Sequence, residues 1–386
     1  MIYESLLDAV LMDWSYFSKD PVSSVERGVI GKLRPPEPDI VTAVQGVRRC
    51  GKSTLLSQIM TKFNLPRERC FFINFEDPRL SDALDINLLS ALIKFADSRV
   101  DNQSPRYFFL DEIQNVKEWE KWLRLKVDRP TKDCFIITGS NSTLLSGELA
   151  TVLTGRHLSI ELFPFSLREY LTLRPESSLL EYLKYGGFPR PLQSDEPFQL
   201  LRQYFSDIVE RDVRRNVSGK SLIQVAKAVF ESTGSELSAR SLSRRIEVST
   251  DTMINYLNAL TQAYLILPCP YFTFSERKRL VRNNKWYPID CGMMHSISVS
   301  ESSNIGKSFE TIVFHALKAK YKDVYYWRDQ GEVDFVVIEG TSPRPIQVSW
   351  DGIKDRHKSA LLEFASRHPS SLEPIVIDQD NFLNAF

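Results

Sequence analysis

Apolar residues along this chain gather in short runs, and in the first half those runs have the length of buried strands: 40–44, 70–75, 107–110, 134–138 and 157–163. Helical spacing of apolar positions marks 4–16 ahead of them, the stretch from Thr54 to Met60 after the first run, and 143–153 before the last. Pro35, Pro36 and Pro38 separate the lead-in from the first strand. Strands that alternate with helices in this way predict a parallel α/β sheet.

The pattern changes after the fifth run. A helix opens in 164–171, a rigid turn stands at Tyr185-Gly186-Gly187-Phe188-Pro189-Arg190, and a second helix spans 198–215. Residues 217–285 read as a winged helix, with helices 239–246 and 250–262 and a wing that begins at 265–267 and has its tip at 276–279. From Trp286 the chain returns to α/β patterning: a helix to about 319, then strands 325–327, 333–337 and 346–349. The division that follows is an ATPase-type domain over 1–175, a helical lid over 176–216, the winged helix, and a last α/β domain over 286–386.

The 386 residues suffice for more than one core, and Lys+Arg and Asp+Glu balance at 49 each. No global field draws this protein to nucleic acid, so any such binding needs a local patch. The five cysteines are scattered, without a C-x-x-C pair, and the five histidines form no ligand cluster. This points to reduced thiols in a cytoplasm rather than to zinc or disulfides. No apolar run has the length of a membrane span, and the N-terminus carries acids rather than a basic signal start.

The chemistry concentrates after the first strand, in Gly46-Val47-Arg48-Arg49-Cys50-Gly51-Lys52-Ser53-Thr54. With the spacing G-x-x-x-x-G-K-S between strand and helix, Gly46 and Gly51 let successive backbone N–H groups of Arg49, Cys50 and Thr54 converge on phosphates. Lys52 would reach the β- and γ-phosphates, and the Ser53 hydroxyl would ligate Mg²⁺. The third strand ends in Asp111-Glu112, the Walker B pattern: Asp111 for the metal and Glu112 to polarise the attacking water. The second strand ends in Glu76-Asp77, either acids near that water or a solvated loop. Beside the third strand, the run 134–138 leads to Asn141, placed to sense both γ-phosphate and water. ATP and Mg²⁺ are the cofactors this reading requires.

Two further sets stand in the second half. Arg244 and Arg245 on one helix, with Arg277, Lys278, Arg279, Arg282 and Lys285 along the wing, could pair with DNA phosphates or be solvated scaffold. The would-be reading helix offers no arginine or lysine and begins with Asp251, so direct base readout is not expected. Glu310, Asp334 and Gln347 form the skeleton of a PD-(D/E)XK nuclease site. Ser349 stands where that site has its lysine, which leaves either a weakened nuclease or a degenerate fold used for binding.

Taken together, GVRRCGKST, FFLDEIQNV, ITGSNSTLLSGELATVLTGR, LFPFSLREYL, YGGFPR and GKSFE…GEVDFVV…IQVS resemble the prokaryotic AAA-type P-loop ATPases that carry a C-terminal restriction-endonuclease-like domain. The resemblance runs nearly the full length. It implies ATP binding, DNA association and assembly into a homo-oligomeric ring. By the same resemblance Arg156 is an arginine finger acting on a neighbouring subunit, or else a helix-capping surface arginine; Pro189 packs on the nucleotide and Arg190 senses phosphate. The expected function is a DNA-associated, Mg²⁺-dependent ATPase. The alternatives are a nucleotide-dependent switch that binds a protein partner, and an ATP-regulated nuclease.

Overall fold

The computed structural model describes residues 2–14, 25–129, 131–142, 153, 155–298 and 305–386. They divide into two compact units, Met1–Leu162 and Phe163–Phe386, a break earlier than the expected boundary at 175.

In the first unit the five apolar runs form one sheet. Strands β1 (Val41–Gln45), β2 (Cys70–Asn74), β3 (Arg106–Asp111), β4 (Asp133–Gly139) and β5 (His157–Glu161) lie in the order β2-β3-β4-β1-β5. Every pairing is parallel, so all C-terminal ends share one edge. The register sets Asn74 beside Asp111, Leu110 beside Ile137 and Gln45 beside Gly139. Inserting β4 between β1 and β3 makes the loop after β1 and the acids after β3 face each other across the end of β4. That crevice is where open parallel sheets collect ligands.

The sheet is fixed by its core. Phe71 stacks on Phe108 at 5.3 Å and Phe108 on Phe135 at 5.4 Å, three rings on successive strands, with Trp122 edge-on to Phe135 at 5.7 Å. Trp122 comes from the helix Trp119–Val127, which lies beside the helix Ile86–Arg99. Neither helix was assigned from sequence. In the second, Leu88, Leu89, Leu92, Ile93 and Ala96 are buried at helical spacing, and Asp85 caps the first turn. The leading helix, expected over 4–16, spans Ile2–Trp14 among the described residues, positions 15 and 16 lying outside them, and packs Leu7 and Val10 into the same core. The expected helix 143–153 lies outside the described residues but for Leu153, which is buried.

At the opposite sheet edge Arg106 is 3% exposed and is answered by two carboxylates, one from β4 and one from the helix Ile86–Arg99. Its guanidinium meets Asp133 in a two-point contact at 2.7 and 3.1 Å and Asp97 at 2.6 Å.

The second unit starts with the helices Leu167–Leu173, Leu179–Tyr185 and Pro197–Ile208. The expected continuous helix 198–215 instead gives way to a π-helical turn at Val209–Val213. The Gly-Gly turn before Phe188 has a packing reason. Gly187 N donates to the buried Asp290 carboxylate at 2.6 Å, and a side chain at Gly186 would lie 2.2 Å from that same group.

Next come the helices Leu222–Glu231, Ala239–Ile246 and Thr250–Gln262, with β6 (Glu236–Leu237), β7 (Ile266–Cys269) and β8 (Asn284–Pro288) in an antiparallel sheet ordered β6-β8-β7. Between β7 and β8 the chain forms a short helix, Glu276–Val281, where a wing tip was expected. The last module has the helices Ile305–Lys320 and Asp355–Arg367. Its strands β9 (Val324–Arg328), β10 (Glu332–Glu339), β11 (Ser342–Val348) and β12 (Ile375–Ile377) are ordered β12-β11-β10-β9. No helix among the described residues is long and apolar enough to cross a membrane. All five cysteines are free.

Replacing Arg106 with Met leaves the buried Asp133 without a counter-charge, which costs about 3 kcal/mol. Urea unfolding followed by the tryptophans of the first unit should show the lower midpoint; an unchanged midpoint would mean the pair contributes nothing.

A candidate nucleotide site at the C-terminal edge of the parallel sheet

The loop that follows β1 is shaped by its two glycines. A Cβ at Gly46 would sit 2.1 Å from the Leu162 carbonyl oxygen, and Gly51 has φ of 102°, a conformation unfavourable to any side chain. Gly51 also precedes the helix Lys52–Lys62, so the first backbone N–H groups of that helix open toward the loop. Two side chains missed in the sequence hold it. Arg27, 4% exposed, donates from Nη1 to the Cys50 carbonyl at 2.8 Å, while Gln58 links the helix to the lead-in through Arg27 N and Val25 O. The lead-in therefore clamps the loop. Arg48 forms a two-point contact with Glu76, at 2.9 and 2.6 Å, so Glu76 at the end of β2 serves loop geometry. Cys50 points its thiol at Leu162 O and is fully buried, leaving only its backbone for a ligand; Arg49 is exposed, with φ of 69°, and Thr54 is half-buried.

Lys52 is 4% exposed. Its ammonium donates to the carbonyls of Gly46 at 3.1 Å and Val47 at 3.3 Å and to Ser140 Oγ at 2.9 Å, and it lies 3.2 Å from Glu112 Oε1. Burial is the largest influence and would lower its pKa, but the charges of Glu112, Cys50 and Asp111 and the hydrogen bond to Glu112 together make the net shift upward. Glu112 keeps its charge for the reciprocal reason. Burial opposes ionisation, yet Lys52, the Gln114 side chain (2.6 Å) and Ser140 (2.8 and 2.9 Å) bring its pKa down to about 2. The residue sits at φ of 56°, left-handed for a non-glycine, and its N–H is held by Thr138 Oγ1 at 2.9 Å.

Asp111 is fully buried and accepts from Ser53 Oγ at 2.7 Å, Asn74 Nδ2 at 3.0 Å and Thr138 Oγ1 at 2.5 Å. Burial and the neighbouring Glu112 charge push its pKa up to about 6. Ser53 and Asp111 thus bring a hydroxyl and a carboxylate oxygen face to face, an all-oxygen set that fits Mg²⁺. No cluster of three or more His, Cys, Asp or Glu side chains suited to a metal occurs among the described residues. That accords with an ion which takes one or two protein ligands and completes its shell with phosphate and water.

The acids and the loop residues expected to act together are together. Ser140 at the end of β4 touches both Lys52 and Glu112, and Thr138 holds the Glu112 N–H; Asn141, the expected sensor, is the next residue along and is half-buried. Arg156 is elsewhere. It lies just before β5 at the edge opposite the phosphate loop, with Val41 N bonded to its carbonyl, and its half-exposed guanidinium pairs with Asp128 at 2.6 Å. It cannot serve Lys52's site in its own chain. Pro189 and Arg190 belong to the second unit, half-buried and exposed respectively.

The second unit assembles the other candidate set differently from expectation. Asp334 in β10 accepts from the Gln347 side chain and from Val348 N at 2.8 Å, and Glu310 of the helix Ile305–Lys320 accepts from Tyr287 OH at 2.6 Å. Into this cluster comes Lys285 of β8, expected on a solvated wing but 1% exposed. Its ammonium lies 2.5 Å from Glu332 and 3.4 Å from Glu310. Burial would lower its pKa, but Glu310, Asp334 and Glu332 raise it on balance. Burial and Glu310 push Asp334 up to about 8. The carboxylates are thus already answered by an internal cation, and the set does not fit a divalent metal. Ser349 caps a turn, donating to Gly352 O at 2.5 Å.

The basic residues divide. Arg244, Arg245, Arg277, Lys278 and Arg282 are exposed. Arg279 is engaged within the chain, by Glu276 at 2.9 Å and the Thr273 carbonyl at 2.9 Å.

Family profiles match three consecutive parts of the chain: an AAA domain over residues 39–171, a domain of unknown function (DUF8612) over 176–304, and another (DUF4143) over 305–382. An uncharacterized protein of Haemophilus influenzae is 30% identical over 347 residues, covering 84% of this chain and 86% of its own. An uncharacterized protein of Methanocaldococcus jannaschii is 30% identical over 379 residues, 90% of this chain and 82% of its own. Among solved structures, Cdc6p from Pyrobaculum aerophilum aligns with 69% of this chain and 86% of its own at 12% identity and a TM-score of 0.30, too low to carry an argument.

Lys285→Met leaves Glu310 without its cation. The expected loss is about 2 kcal/mol, below that for a fully enclosed pair because Glu332 keeps 36% of its side chain in water. Chemical unfolding of the second unit should report it, and a variant as stable as the parent would show that Lys285 is not needed there.

Proposed function

The chain belongs to the family of AAA-domain proteins that includes these Haemophilus and Methanocaldococcus relatives, and we propose that it is a Mg²⁺-dependent ATPase, splitting ATP to ADP and phosphate, that associates with DNA through the winged-helix segment 217–285. One observation carries the hydrolytic part: a buried lysine from the phosphate loop, an ionised glutamate and a bridging serine converge beside the Ser53–Asp111 pair.

In this reading the backbone of 46–51 and Lys52 bind the triphosphate, the ammonium giving charge to the β- and γ-phosphate oxygens. Ser53 and Asp111 hold the cation, which neutralises phosphate charge when bound. Glu112, ionised and fixed by Ser140 and Gln114, orients the water for in-line attack and accepts its proton as the water oxygen bonds to the γ-phosphorus and the bond to the ADP oxygen breaks. Arg156, on the far edge from its own loop and half-exposed, is suited to complete a neighbour's site in a homo-oligomer. Exposed Arg244, Arg245, Arg277, Lys278 and Arg282 are the groups suited to DNA phosphates. Nuclease chemistry is no part of this reading, because Glu310 is engaged by Tyr287 and Lys285 and Asp334 by Gln347 and Val348 within the chain.

Three substitutions separate the roles. Lys52→Ala should abolish binding of a fluorescent ATP analogue. Glu112→Gln should keep binding and lose about a hundredfold or more in kcat. Ser140→Ala should lose about tenfold in kcat with binding retained, the worth of one hydrogen bond to a charged group. Equal hydrolysis by Glu112→Gln and the parent would sink the assignment of the water-orienting acid.

Hydrolysis should also rise when double-stranded DNA is added, more at low salt than at physiological salt. Steady turnover indifferent to DNA, with a protein captured by the Glu112→Gln variant in ATP, would favour the nucleotide-dependent switch instead.

A further inference from the structure

A cavity of about 490 Å³ opens in the second unit, where the segment after β7 meets the last module. Main-chain pairing builds its floor. Tyr326 N donates to Pro270 O at 3.0 Å and Phe272 N to Tyr326 O at 2.6 Å, so the chain leaving β7 is laid along β9. Phe272 and Trp327, 2% and 3% exposed, anchor that floor in the core. Tyr271 and His368 line it as rings with open surface. Burial and the adjacent Arg367 lower the His368 pKa, which favours the neutral ring.

The walls are cationic. Lys278, Arg282 and Arg367 line the cavity against a single carboxylate, Asp329. That carboxylate is taken by Arg367 at 2.6 Å. None of the ion pairs among the described residues involves Lys278 or Arg282. The Arg282 guanidinium lies over the Tyr271 ring, 4.8 Å from its centroid, which joins a flat aromatic surface to a positive charge. The volume is that of a small-molecule site. A bare phosphate would answer the cations but leave the open surface of Tyr271 and His368 in water, and an apolar peptide would bury two cations without a counter-charge. A ligand that has a planar ring and carries an anion one bond-chain away answers both demands.

We propose that this cavity binds a nucleotide, its base against Tyr271 and its phosphate on Lys278 and Arg282. The source is either a free mononucleotide or an unpaired residue of a single strand. In the second case the site narrows the DNA part of the proposed function and rests on it; in the first it stands alone.

The test uses the full chain carrying Lys52→Ala, so that the phosphate loop gives no signal. Fluorescence anisotropy is read with a labelled oligothymidylate of about 16 nucleotides, with the matching duplex, and with unlabelled dTMP as competitor. Single-strand binding is expected, tighter than duplex binding. Tyr271→Leu should weaken it about tenfold. Lys278→Gln with Arg282→Gln should weaken it further and reduce the slope of log K against log salt by about 1.4, two phosphates' worth. Unchanged thermal unfolding shows that these surface variants are folded.

Competition by dTMP assigns the site to a mononucleotide as well, and its absence assigns it to the strand. Duplex bound as tightly as single strand overturns the cavity while leaving DNA association intact. Binding that ignores all three substitutions does the same. No binding of any oligonucleotide or of dTMP overturns both. Inorganic phosphate competing as well as dTMP, or a polyglutamate peptide binding as tightly as the strand, overturns the role of the rings.

Discussion

A charge removed from water must be answered by another, and in the first unit that constraint acts through Lys52. The ammonium is buried against loop carbonyls, Ser140 and Glu112. To answer it, β3 must end level with β4 and β4 level with β1, as the parallel register provides. The stacked rings of Phe71, Phe108 and Phe135 hold that register from below. The Arg106 ion pairs fasten β3 to β4 at the other end. A one-residue slip of β4 would turn Thr138 and Ser140 away from the acids, and the site would lose its bridge.

The two acids in sequence differ because their partners differ. Glu112 touches a cation and stays ionised, whereas Asp111 is buried among hydroxyls and an amide beside that negative charge and is shifted upward. Two carboxylates of opposed tendency, one suited to a metal and one to a water, come from environment alone.

The same electrostatic rule gives the opposite result in the second unit. Lys285 is buried too, but its partners Glu310 and Glu332 belong to a helix and a strand of the same unit, and its charge is answered inside the cluster. Buried polar groups there hold modules together: Asp290 ties the Gly187 turn, and Tyr287 ties β8 to the helix that bears Glu310. Unanswered charge appears instead at the surface, where Lys278 and Arg282 stand beside exposed rings.

The sequence by itself determined the strands of the parallel sheet, the phosphate loop and the two acids, because each is a local matter. Apolar runs of strand length, glycines at fixed spacing and an acidic pair at a strand's end need only neighbours in the chain. It also marked Glu310, Asp334 and Gln347, though not their fate. Only the tertiary structure showed that Ser140 bridges Lys52 and Glu112, since its two partners lie 88 and 28 residues away in the chain. It likewise revealed Arg27 as the clamp of the loop, set Arg156 at the far edge, and carried Lys285 from an expected wing into a buried cluster. Each of these depends on partners 23 or more residues away, such as Arg27 with Cys50 and Lys285 with Glu310. Such contacts are set by how strands and helices pack, and local pattern holds no record of them.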